Sequence, residues 1–149
     1  MPAAPFTADD ALQLDRQLCF ALYSASLAMT KVYKPLLASL GLTYPQYLAM
    51  LVLWERDDRS VSELGEALRL DSGTLTPLLK RLEASGLVAR SRAADDERRV
   101  QITLTAAGRR LKFRARGIPG HVMGATQCSL GELTGMTRQL QALRDRLAA

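Results

Sequence analysis

The chain has few of the residues that small domains use for cross-links and metal sites. Its 149 residues include two cysteines and one histidine, and aromatic residues make up only 5% of them. Two cysteines are too few for a disulfide-stapled scaffold. His121 has no cysteine or carboxylate cluster around it, so we expect no metal site and no cofactor. A P-loop, a dinucleotide-binding glycine motif and Ser-His-Asp spacing are also absent, so no common catalytic motif points to an enzyme.

Long apolar runs are missing as well. The longest, "YLAMLVLW" at residues 47–54, is far shorter than the ~20 residues that span a bilayer. The beginning, "MPAAPFTADDALQLD", has no cationic region followed by an apolar stretch, so it does not resemble a signal peptide. We therefore expect a cytoplasmic protein with no membrane partner, whose cysteines are reduced by default.

What the chain does have is a basic excess and enough length for one domain, residues 1–149. Twenty Lys and Arg against fifteen Asp and Glu give a formal charge of +5. This balance fits a polyanionic partner without proving one. Residues 1–8 are rich in Pro and Ala, and we expect them to be frayed.

Apolar residues at spacings of three and four predict a helix over residues 9–40, bent or restarted at Pro35 and ended by Gly41. Its apolar stripe comprises Leu14, Leu18, Ala21, Leu22, Ala25, Met29, Val32 and Leu36. A second helix, apolar on most faces, starts at the capping pair Thr43 and Gln46. The polar segment "RDDRS" after it is predicted to be a loop.

Two short helices follow. Ser60 and Glu63 form a capping box for the first, which is predicted to end at Leu70. Asp71 caps the second, and Gly86 ends it. The second helix has a leucine face, made of Leu75, Leu78, Leu79 and Leu82. Two short helices joined by a tight turn, the second with one apolar and one polar face, predict a helix-turn-helix.

The hydrophobic period then changes to two. "LVARSR" and "RRVQITLT" predict the two strands of a hairpin, joined by the loop "AADDE". Two more helices follow, broken around residues 117–120 and 124–127, with Ser129 and Glu132 as another capping box. The predicted fold is therefore mainly α with a small β-hairpin wing, a winged helix-turn-helix.

The polar face of the second short helix carries small and basic residues, which suit contacts with phosphates and base edges. Pro77 conflicts with this helix, so either its first turn is irregular or it starts near Thr74. Basic residues of the hairpin suit insertion into a minor groove. The candidate DNA-binding residues are Ser72, Gly73, Thr74, Thr76, Pro77, Lys80, Arg81, Arg90, Arg92, Asp96, Arg98 and Arg99. An isolated cluster of this kind is more often a solvated surface, but its position within a helix-turn-helix and hairpin favours DNA.

The stretch "LGEALRLDSGTLTPLLKRLEASGLVARSRAADDERRVQITLTAAG", residues 64–108, resembles the MarR family of winged-helix repressors. In the family, an Asp steadies a groove-inserting Arg, and the matching residues here are Asp96 and Arg98. Residues 18–55, "LCFALYSASLAMTKVYKPLLASLGLTYPQYLAMLVLWE", resemble the organic-hydroperoxide-sensing branch, OhrR, of two-cysteine type. The resemblance implies a homodimer that binds palindromic operator DNA. It assigns residues 9–42 and 107–149 to a helical dimerisation region and residues 43–106 to the DNA-binding lobe.

By this resemblance, Cys19 is the peroxide-sensing cysteine. Tyr33 and Tyr44 of the partner subunit would hydrogen-bond it, and Tyr23 matches a position near the site. Phenol hydroxyls that donate to sulfur would favour thiolate over thiol. Tyr33 lies fourteen residues beyond Cys19, about 21 Å along a straight helix. A site that contains both residues should therefore span two subunits.

Each cysteine also has a plainer interpretation. Cys19 alone would most often be a packing residue, and tyrosines are more often core or interface residues than ligands. Cys128 precedes the Ser129 cap and would fit a hydrophobic contact with Leu133. The resemblance instead implies that Cys128 resolves the oxidised Cys19 of the other subunit into a disulfide.

The sequence therefore predicts a repressor that an organic hydroperoxide releases from DNA and that a cellular thiol resets. One alternative keeps the fold and changes the trigger, so that a small phenolic ligand releases a MarR-type repressor without cysteine chemistry. Another is a thiol peroxidase that uses Cys19 catalytically, which would leave the winged-helix elements without a purpose.

Overall fold

A computed structural model describes residues 4–149, so the predicted frayed segment 1–8 lies partly outside the described residues. The fold is mainly α with a small antiparallel sheet, as predicted. In chain order the elements are α1 (Ala8–Ala11), α2 (Leu18–Ala38), α3 (Tyr44–Glu55), β1 (Arg59–Ser60), α4 (Val61–Leu68), α5 (Ser72–Ala84), β2 (Val88–Arg92), β3 (Val100–Leu104), α6 (Ala106–Ala115), α7 (Ile118–Thr126) and α8 (Leu130–Leu147).

The first predicted helix is broken near its start. α1 ends at Ala11, a short 3-10 turn occupies Leu14–Arg16, and α2 begins at Leu18. The side-chain amide of Gln17 donates to backbone carbonyls before the break and so stabilises it. The predicted restart at Pro35 is wrong, because α2 continues through this residue to Ala38. Pro35 lies in the last turn of the helix, where its missing N–H removes only one bond of the helical ladder.

Glycines end two helices as the sequence predicted. Gly41 has φ +71° and Gly86 has φ +77°, values that only glycine adopts without strain. After α2, the N–H of Leu42 donates to the carbonyl of Leu37 over 3.1 Å, which closes a Schellman cap. The predicted capping boxes at Thr43, Ser60 and Ser129 are all present.

The wing is the predicted hairpin with one strand more. β2 and β3 pair antiparallel, from Val88 opposite Leu104 to Arg92 opposite Val100. β1 pairs with the other edge of β3, with Arg59 opposite Ile102. The prediction of a loop at "RDDRS" is therefore wrong at residues 59–60. Two residues are too few for an alternating pattern, so the sequence carried no signal for this strand.

The core lies within the helix-turn-helix and the sheet. The leucines predicted to line the second short helix are all buried, and they pack with Met50, Leu53 and Leu64. Trp54 joins α3 to α6, because its Nε1 donates to the carbonyl of Gly108 over 2.9 Å. α3 is thus as central as its apolar sequence indicated.

α2 and α8 have their predicted apolar stripes, but the rest of the chain buries little of them. Leu37 is the one buried residue of α2, and α8 has none. We call the exposed apolar side chains of these helices the α2–α8 face. Its large side chains are Leu18, Phe20, Tyr23, Leu27, Met29, Leu130, Met136, Leu140 and Leu147. None of the helices in residues 4–149 is both long enough and apolar enough to span a membrane.

Candidate functional sites

α5 presents the polar face that the sequence predicted. Asp71 caps it, and its Oδ1 accepts from the N–H of Thr74 over 2.8 Å. This bond, together with a second from the Thr74 side chain, holds the pKa of Asp71 below its usual value. The helix begins at Ser72 and includes Pro77, so a start near Thr74 is wrong. Opposite the buried leucines, the exposed or partly exposed residues are Ser72, Gly73, Thr74, Thr76, Pro77, Lys80 and Arg81.

The tip of the wing holds one projecting arginine. The Oδ1 atom of Asp96 accepts from the backbone N–H of Arg98 over 3.0 Å and from its Nε over 3.4 Å. The Arg98 side chain is 93% exposed. Asp96 therefore fixes the base of this side chain while its guanidinium remains in solvent.

The other wing arginines bind within the wing. Arg99 forms two bonds with the carboxylate of Asp95, over 2.9 and 3.1 Å. Arg92 donates to the carbonyl of Glu97 over 2.7 Å. The Nε of Arg90 is buried without a partner among the described residues. These contacts brace the loop that carries Arg98, a supporting role that the sequence did not indicate.

The two cysteines are free and lie far apart in sequence, each beside the start of a long helix. Cys19 is the second residue of α2 and is exposed. Tyr23, one turn later, is 64% exposed. Cys128 is partly buried between α7 and α8, and its Sγ lies 3.3 Å from the carbonyl oxygen of Thr126.

Three tyrosines form one cluster within the protomer. The ring centroids of Tyr33 and Tyr44 are 4.9 Å apart, and that of Tyr47 is 5.8 Å from Tyr33. Burial, with a smaller contribution from the neighbouring phenols, raises the pKa of Tyr33 to about 12. Its hydroxyl is therefore protonated at physiological pH and able to donate a hydrogen bond. Tyr47 was missed in the sequence because nothing in its apolar helix distinguishes it from a core residue.

A cavity of about 300 Å³ opens beside this cluster on the α2–α8 face. Its lining includes Leu22, Met29, Tyr33, Tyr44 and Leu140. α2 is continuous from Leu18 to Ala38, so Cys19 of the same chain is about 21 Å away from Tyr33 along the helix. The phenols of one protomer therefore face an apolar space that its own Cys19 does not enter. Residues 4–149 contain no group of three or more potential metal-ligating side chains.

A helix-turn-helix, a three-stranded wing and a projecting basic tip define a winged-helix DNA-binding protein. A family profile described as transcriptional regulator SarA/Rot matches residues 31–114. The chain is 50% identical to the organic hydroperoxide resistance transcriptional regulator of Bacillus subtilis, over 93% of this chain and 94% of that one. It is 53% identical to the regulator TtmR of Methylorubrum extorquens, over 95% of this chain and 72% of that one.

Solved structures agree with these relatives. Reduced AbfR bound to DNA has a TM-score of 0.79 and 33% identity to this chain, covering 96% of it and 100% of AbfR. Disulfide-formed AbfR has a TM-score of 0.61 and 34% identity, covering 94% of this chain and 93% of AbfR. AbfR is a protein of Staphylococcus epidermidis. The chain belongs to the MarR family of winged-helix transcriptional regulators and resembles its organic hydroperoxide branch.

Proposed function

We propose that the chain is a homodimeric repressor that senses organic hydroperoxides through Cys19 and then releases its operator. Residues 43–106 form the DNA-binding lobe, and residues 9–42 and 107–149 form the dimerisation region. The observation that carries the proposal is the exposed Cys19 at the start of α2, on a chain that is half identical to an organic hydroperoxide regulator.

The reduced dimer binds a palindromic operator with one α5 helix in each of two successive major grooves. Lys80, Arg81 and Arg98 neutralise phosphates or enter a groove. Arg92 and Arg99 contribute by holding the wing in shape as well as by their charge, and Arg90 contributes by its charge. The exposed hydroxyls of α5, on Ser72, Thr74 and Thr76, contact phosphates or base edges.

Oxidation begins when the Cys19 thiolate attacks the terminal oxygen of the hydroperoxide. The O–O bond breaks, Cys19 becomes a sulfenic acid, and the alkoxide takes a proton from solvent and leaves as the organic alcohol. The Cys128 thiolate of the other subunit then attacks this sulfur and a disulfide forms, while the displaced hydroxide takes a proton from solvent and leaves as water. Thiol exchange with a cellular thiol restores both cysteines.

Tyr33 and Tyr44 of the partner donate hydrogen bonds to the sulfur. The shared position of Tyr33 and Tyr44 in the lining of one apolar cavity supports this role. A disulfide requires the Cα atoms of Cys19 and Cys128 to approach within ~7 Å, so a dimer in which they start farther apart must rearrange. AbfR supports such a change, since its disulfide form is less similar to this chain than its reduced, DNA-bound form.

One observation favours a second candidate, release by a small phenolic ligand. The 300 Å³ cavity beside Tyr33 and Tyr44 is apolar and large enough for a single aromatic ring. A ligand held there would act without either cysteine.

A gel shift on the DNA upstream of the gene, with and without cumene hydroperoxide, tests the proposal. The wild type should release DNA on oxidation, and a non-reducing denaturing gel should show a disulfide-linked dimer. Cys19→Ser should bind DNA but neither release it nor cross-link. Cys128→Ser should stop at the sulfenic acid, without the cross-link and without the release that the disulfide drives. Release that persists in Cys19→Ser would contradict cysteine sensing and favour the ligand candidate.

A further inference from the structure

The turn between α4 and α5 contains an arginine in a conformation that arginine seldom adopts. Arg69 ends α4 with φ 57° and ψ 42°, in the left-handed region. The N–H of Leu70 donates to the carbonyl of Gly65 over 3.0 Å, so Arg69 occupies the position of a Schellman cap that glycine usually takes. Glycine would adopt this conformation without the steric cost of a side chain. The cap alone therefore does not explain the arginine.

The side chain of Arg69 reaches the C-terminal end of α8. Its Nη2 donates to Oδ1 of Asp145 over 3.3 Å, and the two residues are 76 positions apart in the sequence. Among the residues that the structure describes, this is the only hydrogen bond that joins α8 to another element. α8 also has no buried residue. The pair is therefore the polar contact that fixes the end of α8 against the turn before α5.

We propose that Asp145 positions the helix-turn-helix for DNA through Arg69, so that an acidic residue favours the binding of a polyanion. This proposal rests on the proposed binding of DNA by α5. Arg69 lies two residues before Asp71, the N-cap of α5. A restraint on the Arg69 side chain therefore acts on the turn that orients α5. Because Asp145 acts through Arg69, it is a positioning residue and not a contact to DNA.

The location of the pair connects it to the proposed disulfide. α8 begins at Leu130, two residues after Cys128, and Asp145 lies about 22 Å from Leu130 along the helix axis. A disulfide at Cys128 that displaces the start of α8 also displaces its far end, because the helix is continuous. The Arg69–Asp145 pair then opens, and the oxidised protein loses this restraint on its helix-turn-helix.

A direct contact of Arg69 with a DNA phosphate makes the opposite prediction for Asp145. A carboxylate beside a phosphate-binding arginine competes for the guanidinium and repels DNA, so its removal would raise the affinity for DNA. If Asp145 positions the turn, its removal lowers this affinity. The sign of the change therefore separates the two roles.

The test measures how tightly the reduced protein binds a duplex that the wild type selects from a random-sequence library. Asp145→Asn should lower the affinity about fivefold, because an exposed ion pair is worth up to about fivefold and a dimer contains two pairs. Arg69→Asn should have the same effect, since asparagine tolerates the left-handed region and preserves the turn. The double variant Arg69→Asp with Asp145→Arg reverses the pair and should restore the wild-type affinity to within about twofold.

Glu66→Gln is the matched control, because it removes an exposed acid of α4 that forms no ion pair among the described residues. This variant should not lower the affinity. Sedimentation velocity should show that Asp145→Asn is as fully dimeric as the wild type. After oxidation, the two proteins are compared at low salt, where weak DNA binding is measurable. Their affinities should then agree within about twofold, because the pair is already open.

An unchanged or higher affinity of reduced Asp145→Asn would overturn the proposal. A loss that the reversed pair does not restore, or that accompanies weaker dimerisation, would overturn it as well. A fivefold difference that persists after oxidation would contradict the opening of the pair. A wild type that selects no duplex would instead contradict the proposed DNA binding itself.

Discussion

Tyr33 shows how burial sets the role of a single side chain. Its ring packs against Tyr44 and Tyr47, and the pKa of its hydroxyl rises from the usual 10.0 to about 12. The main cause is desolvation, which disfavours the phenolate. A phenol of this kind suits donation to a thiolate and is a poor general base.

Spectrophotometric titration at 295 nm measures this property directly. The folded protein should show a late-ionising class of phenols, and Tyr33→Phe should remove a transition near pH 12. Because the folded-state pKa of Tyr33 lies above the unfolded value, its contribution to stability is complete below about pH 10 and is lost as the pH rises further. Tyr23→Phe is the control, because it also removes one phenol but lies outside the cluster of Tyr33, Tyr44 and Tyr47. A Tyr33→Phe curve that matches the wild type above pH 11 would contradict this assignment.

For single residues, the sequence named candidates for the sensing site but not how they pack, and their role in sensing stays a prediction. Its resemblance to the hydroperoxide branch singled out Cys19, Tyr33 and Tyr44, and the two tyrosines do lie together. The stacking of Tyr47 on the same pair was not predictable, because it depends on how α2 crosses α3. The bracing of the wing by Arg92 and Arg99 was not predictable for a similar reason, since the sequence indicated only that both could contact DNA.

Among the helices, the junction of α5 and α6 is the most tightly constrained. A Cβ atom on Gly108 would lie 2.1 Å from the carbonyl oxygen of Leu87, a backbone atom that cannot move aside. The hydroxyl of Thr105 also donates to the carbonyl of Gly86 over 2.6 Å. α6 thus starts in contact with the backbone that ends α5.

Gly108→Ala should therefore destabilise the protein by about 3 kcal/mol or more, the range of severe packing defects. Urea unfolding followed by circular dichroism measures the change. Gly120→Ala is the matched control, because a Cβ atom there meets nothing within 4 Å inside α7. That variant should be stabilised by about 0.5–1 kcal/mol. Equal stability of the two variants would show that the junction relaxes freely.

The sequence predicted the ends of elements where a local signal exists. The capping residues Thr43, Ser60 and Ser129 and the glycines at positions 41 and 86 are all local signals, and all were correct. The break before α2 depends on the side chain of Gln17, and β1 depends on pairing with a strand some forty residues away. Because both features depend on contacts with other residues, neither the break nor β1 produces a recognisable pattern in its own segment of sequence.

The whole molecule has an apolar surface that a single protomer does not bury. The α2–α8 face exposes large side chains beside a groove of about 690 Å³, which Leu22, Leu143 and Leu147 help to line. Patches of this kind mark interaction sites in soluble proteins. A symmetric dimer would cover them and would bring the Cys19 of one chain toward the phenols of the other.

Leu140→Glu tests this arrangement, because Leu140 lines both the groove and the tyrosine cavity. Burying an unpaired carboxylate should weaken dimerisation at least tenfold, about 1.4 kcal/mol or more. Sedimentation velocity over a range of concentrations measures the dissociation constant. Ala67→Glu, which adds the same charge to an exposed position of α4, should leave it unchanged. An unaltered constant in Leu140→Glu would place the interface elsewhere.

The contact of Gly108 with Leu87 has a consequence for how the molecule can move. Thr105 is hydrogen-bonded to Gly86, and Trp54 is hydrogen-bonded to Gly108. These bonds join α3, the end of α5 and the start of α6 into one unit. A rotation of α6 should therefore turn the end of α5 with it. Relative rotation between the lobe and α7 is left to the residues that follow Ala115, where Gly117 precedes α7 without a side-chain cap.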